Sequence, residues 1–206
     1  MNALLLALAV VGSGEGGAVL KSLEAAGRAL KTMKATFVET KVLVLLDEKQ
    51  ETRGSVLLQV PGRLRWNYAE PQESAMLVKD GRFARYFPQT RQVFRGPARG
   101  EADLLVGFGP GATDLGRKYD VTPLGEDVVA GAPAYVLDLK PRPGQGGLFT
   151  AIRLWVDKAR SIPVQTRLTE PTGDHTTIRF ENVLINVPLA SGAFDMTLPK
   201  DVVEVK

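Results

Sequence analysis

The chain has 206 residues, 44% of them hydrophobic and 24% charged, with a formal net charge of +3 and no cysteine. That length supports one sizeable core but not two full domains, and the balance is that of a globular protein rather than a disordered or membrane-spanning one. The missing thiols exclude disulfides, thiolate metal sites, cysteine nucleophiles and an acylated N-terminal cysteine; the small positive excess serves solubility first and attraction to anionic headgroups or an acidic partner second.

Ala3 to Val11 is an uninterrupted apolar run, and at about nine residues it is too short to cross a bilayer, which takes roughly 20. Followed by the small residues Gly12 to Ala18, it fits the apolar stretch and cleavage zone of a secretory signal, although no Lys or Arg precedes it. Residues 1–18 are therefore expected to direct export, and 19–206 to form a single domain. Leu20, Leu23, Gly27, Leu30 and Met33 then recur at three- and four-residue spacing, with Lys21, Glu24, Arg28, Lys31 and Lys34 on the other faces. This predicts an amphipathic helix from Val19 to Met33, whose apolar stripe must lie against a sheet.

Strand signals follow. Thr36 to Leu46 is β-branched and aliphatic and ends at a polar turn, Asp47 to Gln50. Gly54 to Val60 comes next, then a Pro61-Gly62 turn. In Arg63 to Tyr68, Leu64, Trp66 and Tyr68 alternate with Arg63, Arg65 and Asn67, which gives a strand with one wet face. Ala75 to Lys79 and Arg82 to Phe87 flank Asp80-Gly81, a strong hairpin signal, and Gln92 to Arg95 follows. Glu101 to Phe108 reads as a short second helix, with Leu104, Leu105 and Phe108 at helical spacing and a stop at Gly107, Gly109, Pro110 and Gly111. Further strands are predicted at Tyr119 to Leu124, Ala134 to Lys140, Leu148 to Asp157, Val164 to Thr169, Thr176 to Asn186 and Val202 to Val205. The 21 glycines and 13 prolines punctuate these segments. The fold expected is mainly β, with about ten or eleven antiparallel strands and two helical insertions.

Catalytic patterns are missing. The single histidine, His175, sits at a predicted turn and cannot by itself form a multi-histidine metal site. None of the serines at 13, 22, 55, 74, 161 and 191 lies in a G-x-S-x-G elbow. The run Gly107 to Gly111 lacks the Lys-Ser/Thr ending of a phosphate loop, and Glu70, Glu73 and Asp80 lie beside turns as solvated carboxylates. Arg82, Arg85, Arg91, Arg95 and Arg99 interleave with Phe83, Tyr86, Phe87 and Phe94, a pattern that could stack and neutralise a single strand. An exported chain with arginines on a wet strand face fits that poorly, so no nucleic acid, metal or cofactor is expected, and no enzyme.

The apolar residues are more informative. Leu58, Val60, Leu64, Trp66 and Tyr68 share a face that continues through Met76 and Val78, then Ile152, Leu154, Val156, Ile178 and Phe180. A curved sheet with one apolar concave face needs a cover, and the two helices supply it. Filled by its own side chains the interior is a dry core; left with a gap, it is an apolar ligand cavity. Periodicity leaves both open.

The run from Pro61 to Pro71, with Leu64, Trp66 and Tyr68, resembles the P-x-x-(F/L)-x-W...P signature of the LolA family. Leu77-Val78-Lys79-Asp80-Gly81 followed by Tyr86-Phe87-Pro88, Leu154-Trp155-Val156-Asp157 with Ile162-Pro163, the stretch Phe180 to Asn186, and Phe194 with Leu198-Pro199 resemble it too, as does Leu30 to Glu39. These motifs cover almost all of the expected mature chain in order. The resemblance implies an open antiparallel half-barrel of about eleven strands, covered by an N-terminal helix and a short second helix. It also implies a monomeric periplasmic carrier that takes acylated lipoproteins from an inner-membrane ABC exporter to an outer-membrane acceptor. The lipid-binding cavity so implied comprises Phe37, Leu58, Leu64, Trp66, Met76, Val78, Leu104, Leu105, Phe108, Ile152, Leu154 and Phe180. One position departs: the residue before the turn proline, often an arginine that latches the lid in the family, is Val60. Two rival readings are a lipid-sensing periplasmic regulator on the same half-barrel, which normally carries a partner domain, and the acceptor of the pathway, which would need a lipobox cysteine.

Overall fold

The computed structural model describes residues 13–98, 105–145 and 147–205; most of the expected export signal, residues 1–12, lies outside them. Helix α1 spans Ser13–Ala29, earlier at both ends than the periodicity suggests. It stops short of Met33 because Asn186 takes over its C-terminus: the Asn186 amide donates to the Ala29 carbonyl at 3.3 Å, and its Oδ1 accepts from the Lys31 amide at 2.7 Å. Leu30 and Met33 are still buried, but Met33 already belongs to strand β1, Thr32–Leu43.

The remaining strands are β2 (Glu48–Gln59), β3 (Arg63–Glu70), β4 (Ser74–Lys79), β5 (Arg82–Phe87), β6 (Gln92–Pro97), β7 (Tyr119–Val129), β8 (Ala132–Pro141), β9 (Ala151–Asp157), β10 (Pro163–Thr169), β11 (His175–Ile185) and β12 (Val203–Val205). Among the described residues they form one twelve-stranded sheet in the order β12-β6-β5-β4-β3-β2-β1-β11-β10-β9-β8-β7. Neighbours run antiparallel except β12, which lies parallel on β6. The sheet is open, as an uncovered edge at β7 requires.

Several boundaries differ from the sequence expectation for identifiable reasons. The β1–β2 turn is a 3₁₀ turn at Val44–Leu46, closed by Asp47 in the left-handed region at φ 53, so the polar stretch after it opens β2. Strand β7 continues past Pro123 to Val129 because a bulge between Pro123 and Gly125 absorbs the proline. Asp80 and Gly81 both have positive φ, 52 and 73, the geometry of a tight two-residue hairpin. His175 opens β11, where it faces Thr169 and Val42, rather than sitting in an exposed turn.

The concave face holds the core. Phe37, Trp66 and Phe180 pack ring against ring, with centroids 4.7 Å apart for Phe37–Trp66 and 6.3 Å for Trp66–Phe180. Gly54 makes this possible, because a Cβ there would meet the Phe37 ring at 2.7 Å. Helix α1 covers one part of this face through Val19, Leu23 and Leu30, all buried, while Lys21 and Arg28 stay in water.

Candidate functional site

Where the covering is incomplete an apolar cleft remains. Its floor is set by strand register: Leu58 on β2 pairs with Leu64 on β3, which pairs with Val78 on β4. Alternation puts these three on the concave side as one continuous apolar row. The next row inward, Val56, Trp66 and Met76, is buried throughout.

The roof is the segment from Leu105 to Ala112. The expected helix is represented there by one 3₁₀ residue at Leu105 and a second 3₁₀ turn at Gly109–Ala112, with a short helix α2 at Leu115–Lys118 behind it. Three short backbone bonds hold the turn: Phe108 N to Leu105 O at 3.0 Å, Gly111 N to Phe108 O at 2.9 Å, and Gly107 N to Gly111 O at 3.1 Å. The Gly-Pro-Gly stretch that reads as a helix stop is therefore part of the roof itself. Gly107 adopts φ 92 and leaves no room for a side chain, since a Cβ would stand 2.5 Å from Pro163. Phe108 points into the core and meets Phe180 edge-on at 5.0 Å.

Between floor and roof lies a space of about 240 Å³, lined by Leu58, Gly62, Arg63, Leu64, Val78, Leu105, Phe108, Pro110 and Gly111. Arg63, Gly62, Pro110 and Gly111 are additions to the sequence-derived set. Alternation assigns Arg63 to the wet face, yet it sits at the strand end beside the turn, where it borders the mouth. Of the residues expected around the cavity, Leu58, Leu64, Val78, Leu105 and Phe108 line the cleft. Phe37, Trp66, Met76, Ile152, Leu154 and Phe180 belong to the same continuous core deeper in, where no more than 4% of any of them is exposed. Leu104 lies outside the described residues.

Val60 stands where roof and floor meet. A Cβ on Gly109 would be 3.0 Å from Val60 Cγ2, 3.6 Å from Leu58 and 3.8 Å from Leu30. Val60 therefore touches the roof turn through a methyl group and offers it no side-chain hydrogen bond.

Polar groups inside are few and poorly satisfied. Trp66 Nε1, Arg85 Nε and Thr166 Oγ1 are buried without a hydrogen-bond partner, each at a cost of about 1–3 kcal/mol. Beyond the aromatic cluster the concave face becomes charged. The Arg85 guanidinium lies over the Tyr68 ring at 5.3 Å and the Phe87 ring at 5.0 Å. Burial pushes the Glu39 carboxyl above its usual range, with Arg85 and then Lys41 pulling the other way. Burial and then the Glu39 charge push the Tyr68 hydroxyl up as well. The arrangement suits shelter of an apolar chain; no nucleophile and base converge on the cleft lining.

The chain was compared with known proteins. The family model described as outer membrane lipoprotein carrier protein LolA matches residues 28–197. A protein of Methylococcus capsulatus named outer-membrane lipoprotein carrier protein is 28% identical over 180 residues, 84% of this chain and 80% of its own length. Among solved structures, an uncharacterized conserved protein from Thermus thermophilus superposes with a TM-score of 0.61 at 16% identity, covering 93% of this chain and 98% of that one. The complex of MucA and MucB from Pseudomonas aeruginosa matches with a TM-score of 0.55 at 20% identity, over 89% of this chain and 61% of that one. At such identities the two structures speak for the fold alone.

Proposed function

The chain belongs to the LolA family of outer membrane lipoprotein carrier proteins, and from that premise we propose that it shelters the acyl chains of lipoproteins in the cleft between Leu105–Ala112 and the Leu58–Leu64–Val78 row. The observation that carries the reading is the cleft itself: an apolar gap at the rim of a filled core, roofed by a turn that touches the sheet through small and aliphatic groups.

Removing a methylene from water is worth about 0.8 kcal/mol, so a sixteen-carbon chain supplies roughly 12 kcal/mol of gross driving force. A carrier must use that force and still let go. The closed cleft, at about 240 Å³, is smaller than the ~300–1,000 Å³ usual for a ligand site. The roof therefore has to lift as cargo enters, and its own apolar contacts with Val60, Leu58 and Leu30 compete with the lipid for the same surface. That competition keeps net affinity below the gross figure and permits release. With Val60 in place of a latching arginine, closure rests on apolar contact.

In this reading residues 1–18 direct export, with 13–18 also forming the start of α1, and 19–206 act as a monomeric carrier in the periplasm. Cargo comes from an inner-membrane ABC exporter and passes to an outer-membrane acceptor. Mass spectrometry of protein purified from its native periplasm tests the proposal: acylated peptides should co-purify with it. Recovery of the chain free of acylated material, from cells that are exporting lipoproteins, would overturn it.

A further inference from the structure

The largest contiguous run of exposed apolar side chains lies far from the cleft. Val44, Leu45 and Leu46, at the tip of the β1–β2 hairpin, are 51%, 85% and 65% exposed. Each strand of that hairpin has 12 residues, so the tip stands about 40 Å along the strands from the cleft end. It also projects. Pairing of β2 with β3 ends at Arg53 and Glu70, leaving Glu48–Thr52 beyond the last β3 contact.

Three consecutive large aliphatics in water are a liability that a globular chain rarely keeps without use. Their arrangement says what would use them. The three residues form a 3₁₀ turn, in which successive side chains point about 120° apart. The tip is therefore apolar on every side, a knob and not a flat patch. A flat protein surface would cover one or two of the three and leave the rest wet, whereas lipid surrounds all of them. The knob is also held in shape. Asp47 N donates to Val44 O at 3.4 Å, and Val44 N donates to the Asp174 carboxylate of the β10–β11 turn at 2.8 Å. Directly behind it Asp47, Glu48 and Lys49 are exposed, with both signs represented. Such a collar stops at the headgroups and confines the apolar part to a shallow depth.

We infer that the Val44–Leu46 knob enters the interfacial layer of a lipid bilayer, giving the protein a membrane contact of its own, separate from the cleft. This goes beyond the carrier reading and does not need cargo to be present.

Tryptophan in place of Leu45 reads the contact directly, because the native Trp66 and Trp155 are buried and give a steady background. With vesicles of phosphatidylethanolamine and phosphatidylglycerol, L45W emission should shift to the blue and be quenched when the acyl chains carry bromine. V128W is the control. Val128 is 64% exposed but pairs with Pro133 beside the Ala130–Gly131 turn, at the opposite end of the sheet, and its probe should not respond. The double variant L45N/L46N should stop floating with vesicles while still binding an acylated peptide. L45W emission unmoved by vesicles would overturn the inference. So would a concentration-dependent dimer abolished by L45N/L46N with no vesicle response, which would mark the knob as a contact between copies. A chain that answers to vesicles yet never holds an acylated peptide would sink the carrier reading and leave the membrane contact standing.

Discussion

Gly27 of α1 and Ala112 of the roof turn meet so closely that a methyl group added to Gly27 would lie 2.3 Å from the Ala112 Cβ and 2.9 Å from the Gly109 carbonyl oxygen. Helix and roof are thus joined by two small residues in van der Waals contact, and the width of the cleft depends on that spacing.

Gly27→Ala should accordingly destabilise the protein, even though alanine is the better helix former. Overpacking of this kind costs roughly 1–3 kcal/mol, visible as a lower urea midpoint. Adding Ala112→Gly to the same chain should recover part of the loss. A double variant no better than the single one would show that the two residues are not coupled.

Val78 lines the cleft but is only half-buried, so a charge there can reach water at the mouth. Val78→Glu is expected to keep a β-rich circular-dichroism spectrum and to weaken capture of an acylated peptide by more than about tenfold. Unchanged capture would remove the cleft from the binding path. Trp66→Asp is a poor substitute for this test. Trp66 is fully buried between Phe37 and Phe180, and a carboxylate in that position should prevent folding altogether.

Trimming Val60 to alanine removes the methyl groups that meet Gly109, at a cost of about 1–2 kcal/mol. Because that loss falls on the roof, hydrogen exchange should quicken at the amides of Phe108, Gly111 and Thr113, whose bonds lie within it. Amides of the β1–β2 ladder should keep their protection. Uniform acceleration would mean that the roof does not open as a separate unit.

Glu39 gives a pH signature of definite sign. Its folded-state pKa is raised above 4.5, chiefly by burial, so the folded chain holds this proton more tightly than the unfolded one. The resulting stabilisation is present in acid and is lost as the pH rises through the folded-state value. Urea unfolding from pH 4 to 7 should therefore show the parent chain falling behind Glu39→Gln as the pH increases. A parent chain that instead gained on the variant would mean that Arg85 and Lys41 outweigh burial.

The sheet and its apolar row were legible in the sequence because they rest on local signals. Leu64, Trp66 and Tyr68 alternate with polar residues, and Asp80-Gly81 needs no distant partner to turn the chain. The features that escaped depend on long-range contacts. Nothing near Ala29 announces that Asn186 will end the helix there, and Leu46 looks like strand until Asp174 and the left-handed Asp47 tie the tip into a 3₁₀ turn. Glycine around position 109 signals only that the backbone is free to bend, which fits a helix stop and a roof equally well. The extent of filling was also beyond periodicity. Phe37, Ile152 and Leu154 are apolar residues on the correct face, but they serve as solid core, with the open space confined to the rim.

The parallel pairing of β12 with β6 has a consequence for biogenesis. Val203–Val205 cover one margin of the sheet, yet they follow every other strand in the chain, so β6 and its exposed Phe94 stay bare while the rest of the protein folds. An unsealed margin invites pairing with a neighbouring molecule. Loss of these few residues would thus show itself first as clumping of newly made protein, well before any defect in the finished molecule.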